Sequence, residues 1–197
     1  YEIYGLADIY KAISGAADGA HIKLDVMLRN WGHIESPYPA YYGQIDAADV
    51  VDWWETYSTH LFAPNLRKFL GSNTDVNESI IETLKTNPEN FWYFNNGIIV
   101  LCSNIKLKPM GRGSKKANVF ECDDVSIVNG AQTVGCIAMA NSINPKQVEK
   151  ASVLAKFISL EKSPESFASE ITRAANTQNR IDRRDFVSLD DEQKRLQ

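Results

Sequence analysis

Three short segments of this chain are rich in amide side chains rather than in acids or histidines. They are FNNGI at 94–98, VNGAQT at 128–133 and NTQNRI at 176–181. The hydrophobic pattern places the first before a strand, the second between a strand and a helix, and the third after a helix. Because amides that converge in space can line one pocket, these segments form the candidate functional site.

Of the three segments, VNGAQT gives the clearest indication of the ligand groups that it could bind. Gly130 lets the chain turn tightly and approach a ligand without a Cβ in the way. The first N–H groups of the following helix favour an anion such as phosphate. The Gln132 amide and the Thr133 hydroxyl in the first turn can bind phosphate, ribose or a base edge. The motif contains no Lys or Arg, so it is not a P-loop, which ends in Gly-Lys-Ser/Thr.

The same segments also have a purely structural interpretation. Asn at a strand end and Gly before a helix are common turn and cap residues, and amides often satisfy buried backbone groups. Both NNG and NTQN are good turn formers. A functional interpretation needs a cation, and Arg180, Arg183 or Arg184 beside the third segment could supply it.

Other chemistries have less support in the sequence. The three histidines are isolated and no HExxH motif or His/Cys ligand spacing occurs, which argues against a zinc site. A metal-dependent nuclease needs convergent carboxylates. Such carboxylates could come from Asp123, Asp124, Glu170, Asp182 and Asp185. Helix caps and a solvated face explain these acids more simply than a metal site does.

The overall composition is that of a globular protein with a substantial core. Hydrophobic residues make up 44% and charged residues 23% of the 197 positions. The net charge of −4 argues against broad, non-specific nucleic-acid binding, because such binders carry a basic footprint. Three scattered cysteines without CxxC spacing indicate reduced thiols, so we expect a cytoplasmic location. No apolar run approaches the 18 or so residues of a membrane span.

Hydrophobic spacing predicts the elements that position the amide segments. A short helix is expected at 6–13 and a strand at 21–28, with Gly, Ser and Pro ending the strand soon afterwards. A helix follows Asp46 as N-cap and ends at Pro64, and a second follows Asp75. The predicted buried positions of the first helix are Ala47, Val50, Val51, Trp54, Tyr57, Ser58 and Leu61. Those of the second helix are Val76, Ile80 and Leu84. Further predicted elements are strands at 97–107, 118–129 and 152–160 and helices at 130–142, 163–176 and near the C-terminus.

This order predicts an α+β fold with a mixed sheet and flanking helices. We divide the chain into an N-terminal segment at 1–45 and a domain at 46–197. Within the domain, a mainly helical part at 46–95 precedes an α+β core at 96–197.

Five segments, in this order, resemble the abortive infection phage resistance family, AIPR. They are LFAPNLRKFLG at 61–71, VNESIIETL at 76–84, FWYFNNGI at 91–98, VNGAQT at 128–133 and NTQNRIDRRDF at 176–186. The resemblance implies a bacterial antiphage context. The positions that it implicates, together with Asn77, are Asn65, Arg67, Asn95, Asn96, Gly97, Asn129, Gly130, Gln132, Thr133, Asn176, Gln178 and Asn179.

The order of strand, polar-Gly-polar turn, helix, strand, helix and Asn/Gln turn is also similar, more distantly, to DGQHR-type domains and the ParB-like group. This similarity implies a ParB-like core in which a turn before a helix binds nucleotide or phosphate. The segment NGAQT matches DGQHR only at the glycine, and Thr133 stands in place of the terminal arginine. Arg67 could replace the lost charge.

Three functions remain open from the sequence. The leading hypothesis is an antiphage defence domain that binds a nucleotide or nucleic-acid phosphate, in which Arg67 and Arg180 neutralise the phosphate. The second is a nuclease or nucleotide hydrolase that uses a divalent metal, with magnesium accompanying a nucleotide as the cofactor. The third is an interaction module for a phage or host protein. Whether the amide segments meet in space is the observation that discriminates among them.

Overall fold

The computed structural model describes residues 21–62, 74–108 and 116–177. Its strands are β1 (Leu24–Ile34), β2 (Ala40–Asp46), β3 (Ile98–Cys102), β4 (Asn104–Leu107), β5 (Ala117–Asp123), β6 (Ser126–Asn129) and β7 (Ser152–Ser159). Its α-helices are α1 (Ala47–Tyr57), α2 (Thr74–Thr86), α3 (Phe91–Phe94), α4 (Ala131–Ile143), α5 (Pro145–Val148) and α6 (Phe167–Thr177). Short 3₁₀ turns lie at Ser58–Leu61 and Pro88–Asn90. The predicted α+β class, with a mixed sheet and flanking helices, is confirmed.

The seven described strands form one sheet in the order β4-β5-β1-β2-β7-β3-β6. Neighbouring strands run antiparallel except that β3 is parallel to β7. Only Ser103 separates β3 from β4 in the chain, although the two strands lie near opposite ends of this order. The Ser103 N–H donates to the Asp123 carbonyl at the end of β5. The sheet therefore curves, so that Ser103 directly connects β3 and β4, two strands near its opposite ends.

The first two strands lie in the middle of this sheet. In β1, Leu24, Val26 and Leu28 are buried while the residues between them are exposed, as expected for a strand with one face on the core. The strand predicted at 21–28 extends further, to Ile34, as the partner of β2, and ends within the Gly-, Ser- and Pro-containing stretch that was expected to break it. The sequence analysis did not predict β2, whose only buried residues are Gly43 and Ile45.

The division of the chain at residue 46 remains a prediction about domain boundaries. Strands from both sides of residue 46 belong to the same sheet, since β1 pairs with β5 and β2 pairs with β7. The helices predicted at 6–13 and near the C-terminus lie outside the described residues.

The helical part between β2 and β3 differs in detail from its prediction. Helix α1 starts after Asp46, but the Asp46 carboxylate accepts a hydrogen bond from Arg29 instead of capping the helix. The helix ends at Tyr57, because Ser58 has a φ of 48° and is exposed. Trp53 is buried, whereas Trp54 only packs against the core from its margin. In α2, Leu84 is buried as predicted, but Val76 is 41% exposed.

The second half of the chain follows the predicted order closely. The strand predicted at 97–107 is divided by Ser103 into β3 and β4, and the region 118–129 supplies β5 and β6. The predicted helix at 130–142 is α4, and the helix predicted at 163–176 begins later, at Phe167. The short α5 was not predicted.

Two hydrophobic cores, one on each face of the sheet, pack the helices against it. The large core joins the sheet to α1, α2 and α4 and includes Val100 of β3. The next residue, Leu101, points to the other face and packs with Val128 against Ala168 and Ile171 of α6. Strand β6 therefore lies between α4, which follows it directly, and α6, which covers its other face.

Candidate functional site

The first two amide segments and Asn176, the first residue of the third, meet at one corner of the sheet, where β6 ends and β3 begins. These strands are antiparallel neighbours, and Asn129 lies opposite Ile99. The FNNGI segment leads into β3, the VNGAQT segment links β6 to α4, and α6 ends beside β6 with Asn176. Residues separated by more than 80 positions in the chain thus form a single cluster.

The Asn129 side chain hydrogen-bonds to α6, and the Asn176 side chain hydrogen-bonds to β6. The Asn129 amide nitrogen donates to the Ala175 carbonyl at 2.9 Å and to Asn176 Oδ1 at 3.4 Å. The Asn176 amide nitrogen donates to the Val128 carbonyl at 2.9 Å and to the Thr172 carbonyl at 2.7 Å. The Ala175 carbonyl belongs to the last described turn of α6, so the Asn129 side chain fixes this end of the helix to β6.

Asn95 connects the first segment to the second. Its side-chain oxygen accepts the Gly97 N–H at 2.8 Å, which forms a local turn, and the buried Thr133 hydroxyl at 3.2 Å. The first turn of α4 is therefore fixed to the FNNGI turn by a side-chain hydrogen bond.

Both glycines of the cluster have backbone conformations that suit glycine, with φ of +80° at Gly97 and +94° at Gly130. A Cβ at Gly97 would lie 2.4 Å from the Leu154 carbonyl oxygen. A Cβ at Gly130 would lie 2.6 Å from the Ile98 side chain and 2.8 Å from the Gly97 carbonyl oxygen. In both cases the close neighbour belongs to the protein itself, so each glycine permits the turns to pack against the sheet and against each other.

Two amides of the cluster remain available after these contacts. Among the described residues, neither exposed Asn96 nor half-buried Gln132 makes a side-chain hydrogen bond. Gln132 lies in the first turn of α4, which has no acidic residue and no side-chain cap within the described structure. The N-terminus of a helix carries unpaired N–H groups and a partial positive charge. Together these groups form a small polar surface without a described carboxylate in the same turn.

Two aromatic rings that the sequence analysis did not assign to the site lie beside this surface. Tyr93 is 74% exposed and Phe94 is 70% exposed, and Phe94 directly precedes Asn95. The signal in the sequence was the run FWYF immediately before NNG. Contiguous exposed apolar side chains are informative, because such patches mark interaction or ligand-binding sites.

Five of the residues predicted for the site lie outside the described part of the chain. They are Asn65, Arg67, Gln178, Asn179 and Arg180. The two arginines among them are the predicted phosphate partners. Eight of the other predicted residues belong to the described cluster, and Asn77 lies in α2, where its backbone carbonyl accepts from the Cys136 thiol.

Comparison with known protein families identifies the family of this chain. The AIPR protein family model matches residues 62–197, which is more than two thirds of the chain. The chain belongs to the AIPR protein family. No curated protein and no solved structure matches it. The resemblance seen in the sequence is thereby confirmed at the family level, and it associates the chain with abortive infection phage defence. The ParB-like core stays a prediction.

All described site residues of this AIPR-family chain lie within the matched residues, whereas β1 and β2 precede them. None of the helices in the described residues is long and apolar enough to cross a membrane.

Among the acids considered for metal chemistry, Asp123 and Asp124 lie away from the cluster, whereas Asp182 and Asp185 lie outside the described residues. Asp123 and Asp124 precede β6, whereas the amides follow it, at a separation on the order of 15 Å along the strand. Asp123 pairs with Lys23 at 2.9 Å, and this hydrogen bond raises the pKa of the Lys23 ammonium. Asp124 bonds to His21 and to the Ser103 hydroxyl. No group of three or more possible metal ligands is present among the described residues.

The cysteine of α4 is not prepared for nucleophilic chemistry. Burial raises the pKa of the Cys136 thiol to about 11, and its Sγ donates weakly to the Asn77 carbonyl. A thiol with such a pKa holds little thiolate at neutral pH. All three cysteines are free and buried.

A separate groove of about 700 Å³ lies at the other end of α4, between this helix and α2. Its walls carry Glu78 and Glu82, with Met139 and Ile143 opposite them. The lining also includes one cation, Lys85, so its formal charge is −1, and the groove lies at the opposite end of α4 from the polar corner.

Proposed function

We propose that this AIPR-family chain is a bacterial antiphage defence domain that binds a nucleotide or a nucleic-acid phosphate at the amide corner. The observation that carries the proposal is the convergence of the FNNGI and VNGAQT segments and Asn176, which are distant in sequence, beside the N-terminus of α4. Helix N-termini bind anions through free N–H groups, and amides recognise phosphate, ribose and base edges.

The proposal assigns two roles to the amides. Asn95, Asn129 and Asn176 fix the geometry of the corner through the hydrogen bonds that they make within the protein. Gln132 and Asn96 contact the ligand, because their amides are unpaired among the described residues. Arg67 and Arg180 are proposed to neutralise the phosphate.

A thermal-shift experiment tests this function. The chain is screened against nucleotides and short oligonucleotides, with and without magnesium, and Gln132→Ala is compared with Ser142→Ala at the far end of α4. A ligand at a hundredfold excess over its Kd stabilises the native chain by about 2.7 kcal/mol. We expect Gln132→Ala to lose most of this shift, since one hydrogen bond to a charged group contributes about 1.5–3 kcal/mol, and Ser142→Ala to keep it.

Two results would contradict the proposal. One is a native chain that shifts with none of the ligands, and the other is an equal shift in Gln132→Ala and the native chain.

A protein-binding module is the second candidate. It is favoured by the observation that Asn95, Asn129 and Asn176 bond to one another's segments, as amides that only hold turns would. Under this alternative, a phage or host protein binds the chain, and Gln132→Ala leaves every nucleotide response unchanged.

A further inference from the structure

The exposed aromatic pair Tyr93–Phe94 stands at the edge of the amide corner and has no role in the hydrogen bonds that build it. Its turn is anchored on both sides. Phe91 is buried in the large core, and the Asn95 N–H donates to the Phe91 carbonyl at 3.0 Å. The two rings are therefore held on a fixed support while their faces remain exposed to solvent.

The rings point in different directions. Consecutive residues of a helical turn are rotated by about 100° from each other, so Tyr93 and Phe94 cannot stack on one another. Tyr93 instead lies edge-on to Trp92, with ring centroids 5.2 Å apart and an interplanar angle of 84°. This contact sets the orientation of Tyr93 and leaves most of its surface open.

The chemistry around the pair suits a planar heteroaromatic group better than a phosphate chain. Asn96 places an unpaired amide two residues after Phe94, and such an amide can hydrogen-bond to a base edge. The described residues of the three amide segments include no Lys or Arg, and the chain carries a net charge of −4. In the sheet, the register places one exposed cation, Lys156 of β7, beside Ile99. Binding through many phosphate contacts requires cations, whereas aromatic stacking on a base does not.

We propose that Tyr93 and Phe94 form a stacking platform for nucleobases, in which each ring takes a separate base, and that Asn96 contacts the edge of a stacked base. This inference rests on the proposed function and specifies its ligand as a base, supplied either by single-stranded nucleic acid or by a free nucleotide. The amide corner then positions the sugar and phosphate next to the stacked base.

Matched oligonucleotides test this inference on the full chain. Fluorescence anisotropy compares a short labelled oligothymidylate with an abasic oligomer of the same length, which has the same phosphates and no bases. We expect the oligothymidylate to bind at least about tenfold more tightly, because stacking on an aromatic ring is worth roughly that factor or more per base. Unlabelled thymidine monophosphate as a competitor separates the two sources of the base.

The protein variants supply the second comparison. The double variant Tyr93→Ala/Phe94→Ala should lose at least about tenfold in affinity for the oligothymidylate and none for the abasic oligomer. Met139→Ala removes a side chain that is 57% exposed at the distant groove and should change neither affinity. Circular dichroism checks that the variants are folded.

The possible outcomes distinguish failure of the stacking inference from failure of the proposed function. Equal binding of both oligomers, or unchanged binding by the double variant, overturns the stacking platform while phosphate binding at the corner stands. If neither oligomer nor the monophosphate binds, both fail together with the thermal-shift result above. Competition by the monophosphate assigns the site to free nucleotides, and its failure assigns the site to single strands.

Discussion

At the scale of single residues, identical amides have opposite environments. Asn95 and Asn96 are adjacent in the chain, yet Asn95 accepts two hydrogen bonds inside the corner while Asn96 is exposed. Their side-chain chemistry is the same, so the difference comes from the turn that Gly97 makes possible. This separates amides that build the site from amides that are free to bind.

The contrast between Asn95 and Asn96 gives a prediction for the stability of the chain. Asn95→Ala should lower the free energy of unfolding by about 1–3 kcal/mol, because the Gly97 N–H and the buried Thr133 hydroxyl lose their acceptor. Asn96→Ala should change it by no more than about 0.5 kcal/mol, as is usual for an exposed position. Urea unfolding of the two variants and the native chain measures both values. Equal costs at both positions would show that the Asn95 contacts do not hold the corner.

At the scale of elements, α6 depends on its polar contacts with β6. None of its described side chains is fully buried, and its apolar contact is limited to residues such as Ala168 and Ile171 over the small core. The hydrogen bonds between Asn176 and the Val128 carbonyl, and between Asn129 and the Ala175 carbonyl, add a fixed register. We infer that these amides hold the end of α6 against the corner.

Removing one of them should therefore loosen this helix selectively. Asn176→Ala deprives the Val128 carbonyl of its side-chain donor and should increase hydrogen exchange in α6 by about tenfold, equivalent to about 1.4 kcal/mol, with little change in β1. Arg173→Ala, at an exposed position of the same helix, is the matched control and should leave exchange unchanged. Native-state hydrogen exchange with mass spectrometry measures exchange in α6 and in β1 separately. A uniform increase over the whole chain would contradict a local role for Asn176.

At the scale of the whole molecule, the curved sheet makes distant parts of the chain depend on each other. Strands β1 and β2 lie between β5 and β7, so the strands that carry the amide corner are joined to the rest of the sheet through residues before 46. The AIPR family match begins only at residue 62, after both of these strands. The conformation of the matched segment should therefore depend on residues outside it.

We predict that a chain of residues 47–197 lacks the cooperative thermal unfolding of the full chain, because it loses two central strands and their buried side chains. Point variants in β1 provide a milder test. Leu28→Ala, at a fully buried position, should cost about 2–5 kcal/mol. Met27→Ala, at a neighbouring position that is 37% exposed, should cost less than about 1 kcal/mol. Cooperative unfolding of 47–197 in near-ultraviolet circular dichroism would show that the later residues fold independently.

The sequence predicted most elements of the second half because their signals are local. The apolar run of β7 and the helix after Gly130 follow from residue spacing and from the turn that glycine allows. Strand β2 was missed because its pattern is interrupted at Gly43, which approaches the Arg29 carbonyl oxygen closely in the sheet. The burial of Trp53 rather than Trp54 likewise depends on packing that a helical period alone does not specify.

The sequence by itself determined the α+β class, the AIPR family and the three amide segments, because composition, periodicity and short motifs are properties of neighbouring residues. Only the tertiary structure decided which amides pair with one another and which remain free. It also decided that Tyr93 and Phe94 are exposed beside them. The physical reason is that hydrogen-bond partners such as Asn129 and Asn176 are brought together by strand pairing and helix packing over long separations, which no local pattern encodes.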